Sequence, residues 1–401
     1  MTAPSRAAAT TSDEAPAAVV AGHVSLDIVP ALQGPVKLEP GRLVVVGPAL
    51  TSTGGAVTNT GLALHRLGVR VRLIGKVGAD LFGRAVIDAL AEEGERLADD
   101  LIVSGDEATS YTIVINPPGV DRSFLHCAGA NRTFSARDVR SEQLDGARLF
   151  HFGYPPLMPA MFANGGTQLR ELLARAHDRG PATSLDVCQI DPDDEAARVD
   201  WHEVLANALP FVDVFAPSIE DLLFMLDPDA RDRLLAGAEL TAVVDRARLA
   251  ELAAVLSGMG APVVAIKLGE HGLYLRTTSD TARLGALCNR LGLDAGAWRA
   301  REVLSPCFEP RVVAGTTGAG DATIAGLLAA LLRGADPVDA ATSATAVGAC
   351  SVEGADPTSG IPPWPRVAER IASGWRRLPV GIDLGLDAAI ERDPTGTMVF
   401  T

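Results

Sequence analysis

The fold is indicated first by Val312-Val313-Ala314-Gly315-Thr316-Thr317-Gly318-Ala319-Gly320-Asp321. Its composition predicts a short apolar strand, a glycine-rich turn and a helix that begins with an acid. Beyond the turn, five apolar residues recur at helical spacing: Ile324, Leu327, Leu328, Leu331 and Leu332. They would form one buried stripe along the helix. Such a strand–turn–helix unit is common in α/β proteins.

The turn offers a site for anionic oxygens, because the first N–H groups of a helix are unpaired and the helix dipole favours negative charge there. An acid at position 321 is unexpected in a simple anion site, since like charges repel. Asp321 could cap the helix, or it could be a base that deprotonates a hydroxyl beside a phosphate. The glycine spacing differs from the dinucleotide fingerprint, and no Lys-Ser or Lys-Thr follows, which excludes a P-loop.

The composition bounds the class of protein. The 401 residues are 47% hydrophobic and 4% aromatic, enough for a large core in one or two domains. A formal net charge of −15 argues against a nucleic-acid partner, although a local basic pocket can still hold an anionic substrate. No apolar stretch approaches the ~18 residues that a membrane span needs, and the N-terminus lacks the apolar core of a secretory signal. We therefore expect a cytoplasmic protein without a membrane partner.

The cysteines and histidines give no metal signature. The five cysteines are scattered and contain no C-x-x-C pair, which predicts reduced thiols rather than a disulfide framework or a zinc site. His23, His126 and His151 show no ligand spacing among themselves, so we assign them no metal.

Helices and strands alternate along most of the chain, which predicts a parallel sheet. Residues 1–17, rich in Ala, Ser, Thr and Pro, are expected to be a disordered tail. A strand from Ala18, a helix that residues 54–59 open and that runs through Leu67, and a strand over 69–74 form the first β-loop-α-β unit. The alternation continues with a helix over 82–93 and strands at 149–152, 183–187, 212–216, 263–268 and 272–275.

A small β element interrupts this alternation. Two short runs around Pro117-Pro118-Gly119 indicate a hairpin, and lid strands are expected roughly at 33–50 and 103–130. Residues 278–311 lack clear periodicity and are expected to form loops, and 376–401 form a C-terminal extension. The sequence thus predicts a doubly wound α/β domain over 18–375, with a mainly parallel sheet flanked by helices and a small β-strand lid. Ligands would bind at the carboxyl ends of the strands, and the lid edge would allow a homodimer.

Five ordered segments resemble the ribokinase-like (PfkB-type) carbohydrate kinase family. Residues 315–321 match its signature D-T-x-G-A-G-D at every position but the first, and 54–83 match its N-terminal signature, with Gly54-Gly55, Asn59 and the run Gly75 to Gly83. Residues 121–131 are similar to the lid returning to the core. Residues 216–220 and 267–272 resemble a P-N-x-x-E-like segment and the nucleotide-side L-G-x-x-G loop. The resemblance covers roughly 18–375.

The resemblance implies a ribokinase-like fold and transfer of the ATP γ-phosphate to a sugar hydroxyl, with Mg²⁺ helping. Asp321 would be the base, and the N–H groups of Gly318, Ala319, Gly320 and Asp321 would hold the charge on the transferring group. Glycine suits this loop because a side chain would block close approach to the phosphate.

On the sugar side, the resemblance gives substrate contacts to Asp27, Gly54, Gly55 and Asn59, and places Arg122 where the lid could close on an anionic group. A carboxylate and an amide suit a polyol, because together they accept and donate hydrogen bonds. Other interpretations stay open. Asp27 could close a loop, Asn59 could cap a helix, the glycines could form an ordinary turn, and Arg122 could be a solvated strand residue.

On the nucleotide side, the resemblance assigns six residues: Lys267, Gly269, Gly272, Thr316, Gly318 and Gly320. Lys267 could equally be a solvent-exposed lysine. Glu220 would bind Mg²⁺ through water, or it could be a surface acid at the start of a helix over 220–226. Asp186 would lie near the phosphate or metal, although Cys188 stands where the family often has Asn.

Two departures from the family pattern bear on function. Gly315 stands where the family has an Asp that helps to place a monovalent cation, so potassium activation is in doubt. Ser218 stands where members carry Asn. The leading prediction is an ATP-dependent sugar kinase. A nucleoside kinase, or a non-catalytic sugar or nucleotide sensor on a kinase scaffold, is the alternative.

Overall fold

The computed structural model of the chain describes residues 15–34, 39–117, 123–385 and 390–400. The strands are β1 (Ala18–Gly22), β2 (Ser25–Pro30), β3 (Ala49–Gly54), β4 (Val71–Ile74), β5 (Lys76–Gly78), β6 (Ile102–Ser104), β7 (Tyr111–Ile115), β8 (Ser123–Cys127), β9 (Leu149–Gly153), β10 (Ala182–Asp186), β11 (Val214–Phe215), β12 (Val263–Lys267), β13 (Leu273–Thr277), β14 (Glu302–Ser305), β15 (Ile390–Arg392) and β16 (Met398–Phe400). The α-helices are α1 (Ala56–Arg66), α2 (Leu81–Glu93), α3 (Pro159–Arg179), α4 (Trp201–Ala208), α5 (Ile219–Leu226), α6 (Pro228–Leu235), α7 (Arg246–Gly258), α8 (Thr281–Leu291), α9 (Ala295–Trp298), α10 (Ala319–Leu332), α11 (Pro337–Ser351) and α12 (Trp364–Ala372).

Ten strands form the central sheet, in the order β15-β16-β14-β13-β12-β11-β10-β9-β1-β4. The six strands from β4 to β12 are parallel, and the four beyond them pair antiparallel. Successive residues of a strand point to opposite faces, so Val19 joins one apolar layer and Val20 the other. Helices cover both layers, because each face of a buried parallel sheet must be packed. The predicted doubly wound α/β fold is confirmed.

The lid is a four-stranded sheet in the order β3-β2-β7-β8, in which β2 and β7 run parallel and the two outer pairs antiparallel. Its first two strands leave the core directly after β1 and return to it at α1. Residues 35–38 and 118–122 of the predicted lid segments, and residues 1–14 of the predicted tail, lie outside the described residues. The domain limits therefore stay predictions.

The loop prediction for 278–311 is wrong, because this stretch forms α8, α9 and β14. Asp280 caps α8 by accepting from the backbone N–H groups of residues 282 and 283, and Gly292 ends the helix in the left-handed conformation. Its buried residues follow helical spacing: Leu284, Leu287, Cys288 and Leu291. The start signal, the stop signal and the stripe were all present in the sequence.

The strand prediction for residues 312–314 is also wrong. Val312 and Val313 are 57% and 61% exposed and form no strand. The segment is instead held by the residue that follows α11: the N–H groups of Ala314 and Gly315 both donate to the carbonyl of Val352, at 2.8 and 3.3 Å. Helix α10 follows as predicted, but it is buried on all sides rather than along one stripe, since it packs between α1 and α11.

In the described ranges, no helix combines the length and the apolar character that crossing a membrane requires.

Candidate active site

The turn before α10 requires glycine at position 318. Gly318 is the N-cap of the helix and has a φ of 76°, and a Cβ there would lie 2.5 Å from the Cβ of Pro357. Asp321 lies in the first helical turn and is 2% exposed. Because Gly318 holds the cap position, Asp321 is not the cap of α10, and its carboxylate turns towards other elements.

Three side chains from distant parts of the chain donate hydrogen bonds to the Asp321 carboxylate. Asn59 Nδ2 lies 3.0 Å from Oδ2, and Thr60 Oγ1 lies 3.3 Å from Oδ1; both residues belong to α1. The Tyr154 hydroxyl lies 2.9 Å from Oδ1 and 2.8 Å from Oδ2. The structure thus brings the predicted residues Asp321 and Asn59 into contact, and adds two residues that the sequence did not indicate.

The surroundings of Asp321 act on its pKa in opposite directions. Burial raises the pKa of Asp321, because desolvation penalises the charged form. Hydrogen bonds from Asn59, Tyr154 and Thr60, together with the charge of Lys267, oppose this rise. A buried carboxylate held this way can accept a proton from a bound hydroxyl.

Lys267 forms a buried ion pair beside the turn. Its Nζ lies 2.8 Å from Oδ1 of Asp186, and the two side chains are 10% and 1% exposed. Burial raises the pKa of Asp186, and the Lys267 ammonium opposes this rise. A Cβ at Gly320 would lie 3.7 Å from the Lys267 stem, so the ammonium group and the start of α10 border the same space. The interpretation of Lys267 as a solvent-exposed lysine is therefore wrong.

A cavity of about 430 Å³ opens beside this ion pair. It is lined by five of the residues assigned to the nucleotide: Lys267, Gly269, Gly272, Thr316 and Gly320. Gly318, the sixth, lies in the adjoining turn. The remaining wall is mostly apolar and includes Phe308, Pro310, Ala349, Val352 and Leu378. An apolar compartment that ends at a helix N-terminus and a lysine fits a base with an attached polyphosphate.

A second cavity, of about 250 Å³, lies between the lid and the same turn, and Val313 and Thr316 line both cavities. Asp27 lines it from the middle of β2, so the interpretation of Asp27 as a loop closure is wrong. Burial raises the pKa of Asp27 to about 6. A Cβ at Gly54 would lie 2.4 Å from both Asp27 carboxylate oxygens, which explains glycine at this position.

Gly55 is the N-cap of α1 and has a φ of 89°, which favours glycine. The interpretation of Asn59 as a helix cap is wrong, since the cap is Gly55 and the Asn59 amide donates to Asp321.

Two predicted residues are not placed with the others. Arg122 lies outside the described residues. Glu220 is exposed and lines a neighbouring cavity of about 320 Å³, together with Asp221, Phe224 and Arg231. Among the residues that the structure describes, no three His, Cys, Asp or Glu side chains cluster closely enough to hold a metal ion.

Comparisons with known proteins show the family and the fold. The model of the pfkB family of carbohydrate kinases matches residues 17–364. An uncharacterized sugar kinase of Archaeoglobus fulgidus is 24% identical over 297 residues, which cover 74% of this chain and 97% of that protein.

Solved structures share the fold. Arabidopsis thaliana ribokinase, complexed with ribose and ATP, superposes with a TM-score of 0.63 at 19% identity, covering 88% of this chain and 98% of its own. A nucleoside kinase of Methanocaldococcus jannaschii gives a TM-score of 0.61 at 17% identity, covering 89% and 98%. The fold is therefore ribokinase-like, as the sequence resemblance implied. Because the family model spans most of the chain, this protein belongs to the pfkB family of carbohydrate kinases.

Proposed function

We propose that this protein transfers the γ-phosphoryl group of ATP to a hydroxyl of a sugar or sugar derivative, with Asp321 as the base. One observation carries the proposal: a buried carboxylate stands in the first turn of a helix whose preceding residues line the larger cavity, while Asn59, a predicted sugar ligand, donates to it. A base and an anion site are thereby joined in one turn, as phosphoryl transfer to a hydroxyl requires.

In the proposed reaction, the acceptor hydroxyl gives its proton to Asp321 as its oxygen attacks the γ-phosphorus, and ADP leaves. The N–H groups of residues 318–321 stabilise the charge on the transferring group. The Ala319 N–H already donates to the Thr316 carbonyl at 3.3 Å, a long bond that phosphate oxygens can replace. Lys267 adds a positive charge beside this turn, and its pairing with Asp186 fixes the ammonium group in place.

The chain's residues fit ATP and Mg²⁺ as cofactors. The larger cavity has an apolar end for the base and a polar end, formed by Lys267 and Gly320, for the phosphates. Carboxylate oxygens are hard ligands of the kind that Mg²⁺ prefers, and Mg²⁺ keeps several waters. We propose Glu220 as a contact to metal-bound water. The bound ion would neutralise charge on the β- and γ-phosphates.

We propose a polyhydroxylated acceptor in the smaller cavity. Asp27, Ser52 and Asn116 line it and supply acceptors and donors for several hydroxyls. Gly54 and Gly55 bring the backbone close to Asp27 and α1, and Arg122 is proposed to approach from the lid. A panel of sugars, sugar acids, sugar phosphates and nucleosides, assayed by ADP release, would identify the acceptor and separate a sugar kinase from a nucleoside kinase.

The Asp321→Asn variant tests the role of the base. We expect a loss of about 10²–10⁴-fold in turnover with ATP binding retained, because general base catalysis contributes this much. The control is Asp294→Asn, which changes the same residue type at the cap of the remote helix α9 and should leave turnover unchanged. Near-normal turnover in Asp321→Asn would exclude Asp321 as the base. If the wild-type protein phosphorylates none of the acceptors, yet sugar and ATP raise its stability, a non-catalytic sensor is favoured.

We propose further that activity does not depend strongly on a monovalent cation, because Gly315 lacks the carboxylate of the family signature. Turnover should be similar in potassium and sodium buffers of equal ionic strength. A strong requirement for potassium would contradict this.

A homodimer through the lid is proposed as well. The outer lid strands β3 and β8 expose Leu50 and Leu125, which are 51% and 48% accessible, and an open sheet edge invites pairing. Light scattering should give twice the mass of the 41.7 kDa chain. A monomeric mass at micromolar concentration would contradict the dimer.

A further inference from the structure

Tyr154 has an unusual backbone conformation directly after β9. Its φ and ψ are 68° and 42°, in the left-handed region, where a bulky side chain is disfavoured. Among the described residues other than glycine, only Asn164 and Ala300 also have a positive φ. The two residues that follow are prolines, which further restrict the backbone. A conformation of this kind persists only where the surrounding structure imposes it, and it is often found at functional sites.

The chain around Tyr154 is packed too closely to relax easily. A Cβ at Gly153 would lie 2.2 Å from the Cβ of Ala56, and a Cβ at Gly22 would lie 2.4 Å from the Gly153 carbonyl. The Tyr154 N–H donates to the Asp186 carbonyl at 3.3 Å. The end of β9 is thus pressed between β1, β10 and the start of α1. The tyrosine side chain leaves this point towards α10.

The Tyr154 hydroxyl differs from the other two donors to Asp321, because it contacts both carboxylate oxygens. Asn59 donates only to Oδ2 and Thr60 only to Oδ1. A single phenolic proton placed between the two oxygens fixes the plane of the carboxylate and is shared by them. Charge-assisted bonds of this kind are about twice as strong as neutral ones.

The charged and titratable groups around this contact favour a proton on the tyrosine rather than on the base. Burial raises the pKa of Tyr154, and the nearby Asp321, Asp186 and Cys188 raise it further. Around the carboxylate, Lys267 on β12 lowers the pKa of Asp321. The Tyr154 hydroxyl therefore stays a donor throughout the pH range in which Asp321 ionises.

Two further groups face this contact. Asp27 on β2 is one of them: its pKa is raised first by burial, and the charge of Asp321 raises it further. The His23 ring lies 6.1 Å from the Tyr154 ring, and its pKa is lowered, first by burial, so it stays neutral at neutral pH.

We propose that Tyr154 is a positioning residue for phosphoryl transfer: its hydroxyl aims the Asp321 carboxylate at the acceptor and favours the ionised form of that carboxylate. This inference rests on the proposed role of Asp321 as the base. The left-handed backbone conformation of Tyr154 then serves to direct its phenol towards α10.

Tyr154→Phe tests the inference, because it removes one oxygen and keeps the ring. The expected result is a fall of about tenfold in kcat at neutral pH, since one bond to a charged group is lost. The KM values for ATP and acceptor should change little. The acid limb of the pH profile of kcat should move to higher pH by about one unit, because the ionised base loses a donor. The control is Tyr274→Phe, which makes the same change to a buried tyrosine of β13 that lines neither of the two cavities.

A titration without turnover gives a second measurement. The carboxyl carbon of Asp321 can be followed by NMR in labelled protein and assigned by its absence in Asp321→Asn. Its midpoint should lie at higher pH in Tyr154→Phe than in the wild type. In the wild-type protein alone, the phenolic carbon of Tyr154 should show an inflection at the Asp321 midpoint. An unchanged midpoint, or a Tyr154 signal without that inflection, would overturn the inference.

The outcomes separate the two proposals. Normal turnover in Asp321→Asn excludes Asp321 as the base, and the inference about Tyr154 falls with that role. A different pair of results overturns only the role of Tyr154: the single variant Asp321→Asn is inactive, and the single variant Tyr154→Phe has the wild-type kcat and pH profile. The proposed function then still stands.

Discussion

Lys267 and Asp186 illustrate how a buried charge at this site depends on its partner. Asp186 is 1% exposed at the end of β10, and Lys267 Nζ lies 2.8 Å from it. Removing one member of a buried ion pair leaves the other charge unpaired in a poorly solvated position. Breaking such a pair typically costs about 3–5 kcal/mol, whereas replacing both members costs much less.

We therefore expect Lys267→Met to lower the free energy of unfolding by about 3–5 kcal/mol. The double variant Lys267→Met with Asp186→Asn should recover a large part of this loss. Urea unfolding of the wild type, both single variants and the double variant gives the coupling between the two sites. Equal losses in the single lysine variant and the double variant would show that the stranded carboxylate is not the cause.

The Gly54→Ala variant, which adds one methyl group, tests the proposed acceptor site in the smaller cavity. A Cβ at this position would lie 2.4 Å from both Asp27 oxygens, so the carboxylate must move in Gly54→Ala. We expect the KM for the acceptor to rise by about tenfold or more, because small displacements of a binding group are costly. The KM for ATP should stay within about twofold. The control Gly105→Ala adds a methyl group with no atom within 4 Å. An unchanged acceptor KM in Gly54→Ala would argue against Asp27 as a substrate ligand.

At the site, the sequence indicated residues that belong to a recognisable local pattern. Asp321 and Gly318 lie in one glycine turn, and Asn59 follows a glycine pair. Tyr154 and Thr60 gave no comparable signal, because their contacts with Asp321 span 167 and 261 positions along the chain. Only the folded sheet, which places β9 and α1 beside α10, brings them together.

At the scale of elements, the predictions for α1 and β12 are confirmed, and those for residues 312–314 and for the segment that forms α8 are wrong. Helix α1 and strand β12 were predicted within one or two residues, because each is an apolar run bounded by glycine. The three apolar residues 312–314 have the composition of a strand, but no strand in the described ranges pairs with them and two of the side chains face solvent. Helix α8 was missed although its cap and its buried stripe follow the usual rules.

The C-terminal extension, which lies beyond the residues that the family model matches, completes one edge of the sheet. Strand β16 pairs with β14, and β15 pairs with β16 as the edge strand. Arg377 connects this extension to the core, because its guanidinium group donates to five hydroxyls at 3.0–3.4 Å besides other acceptors: those of Ser305, Thr345, Thr342, Thr395 and Thr397. It also lies 3.5 Å above the ring of Phe308, which lines the larger cavity together with Leu378. The extension therefore forms part of the proposed nucleotide site.

Arg377→Met keeps the aliphatic stem and removes this network. We expect a loss of about 2–4 kcal/mol in the free energy of unfolding, since several buried hydroxyls lose a partner. We also expect the KM for ATP to rise while the KM for the acceptor is unchanged, because Phe308 and Leu378 border only the larger cavity. Urea unfolding and steady-state kinetics measure both effects, with the exposed Arg299→Met as control. A variant with wild-type stability and ATP affinity would contradict the role given to the extension.

At the scale of the whole molecule, the two apolar layers are joined by the strands that separate them. In β12, Val263 belongs to one layer and Val264 to the other. Neither layer can lose its packing without exposing one face of the shared strands. The larger cavity is bordered by residues from β12, α10 and α11, so a bound nucleotide contacts elements that continue into the sheet.

We therefore expect a single unfolding transition that nucleotide binding shifts as a whole. A non-hydrolysable ATP analogue with Mg²⁺, present at 100 times its dissociation constant, should raise the free energy of unfolding by about 2.7 kcal/mol. Calorimetry and far-UV circular dichroism should report the same midpoint with and without the analogue, because both apolar layers unfold together. Nucleotide-free buffer with Mg²⁺ alone serves as the control and should leave the midpoint unchanged. Two resolved transitions, of which the analogue moves only one, would show that the two layers unfold independently and that the sheet does not couple the nucleotide site to the rest of the molecule.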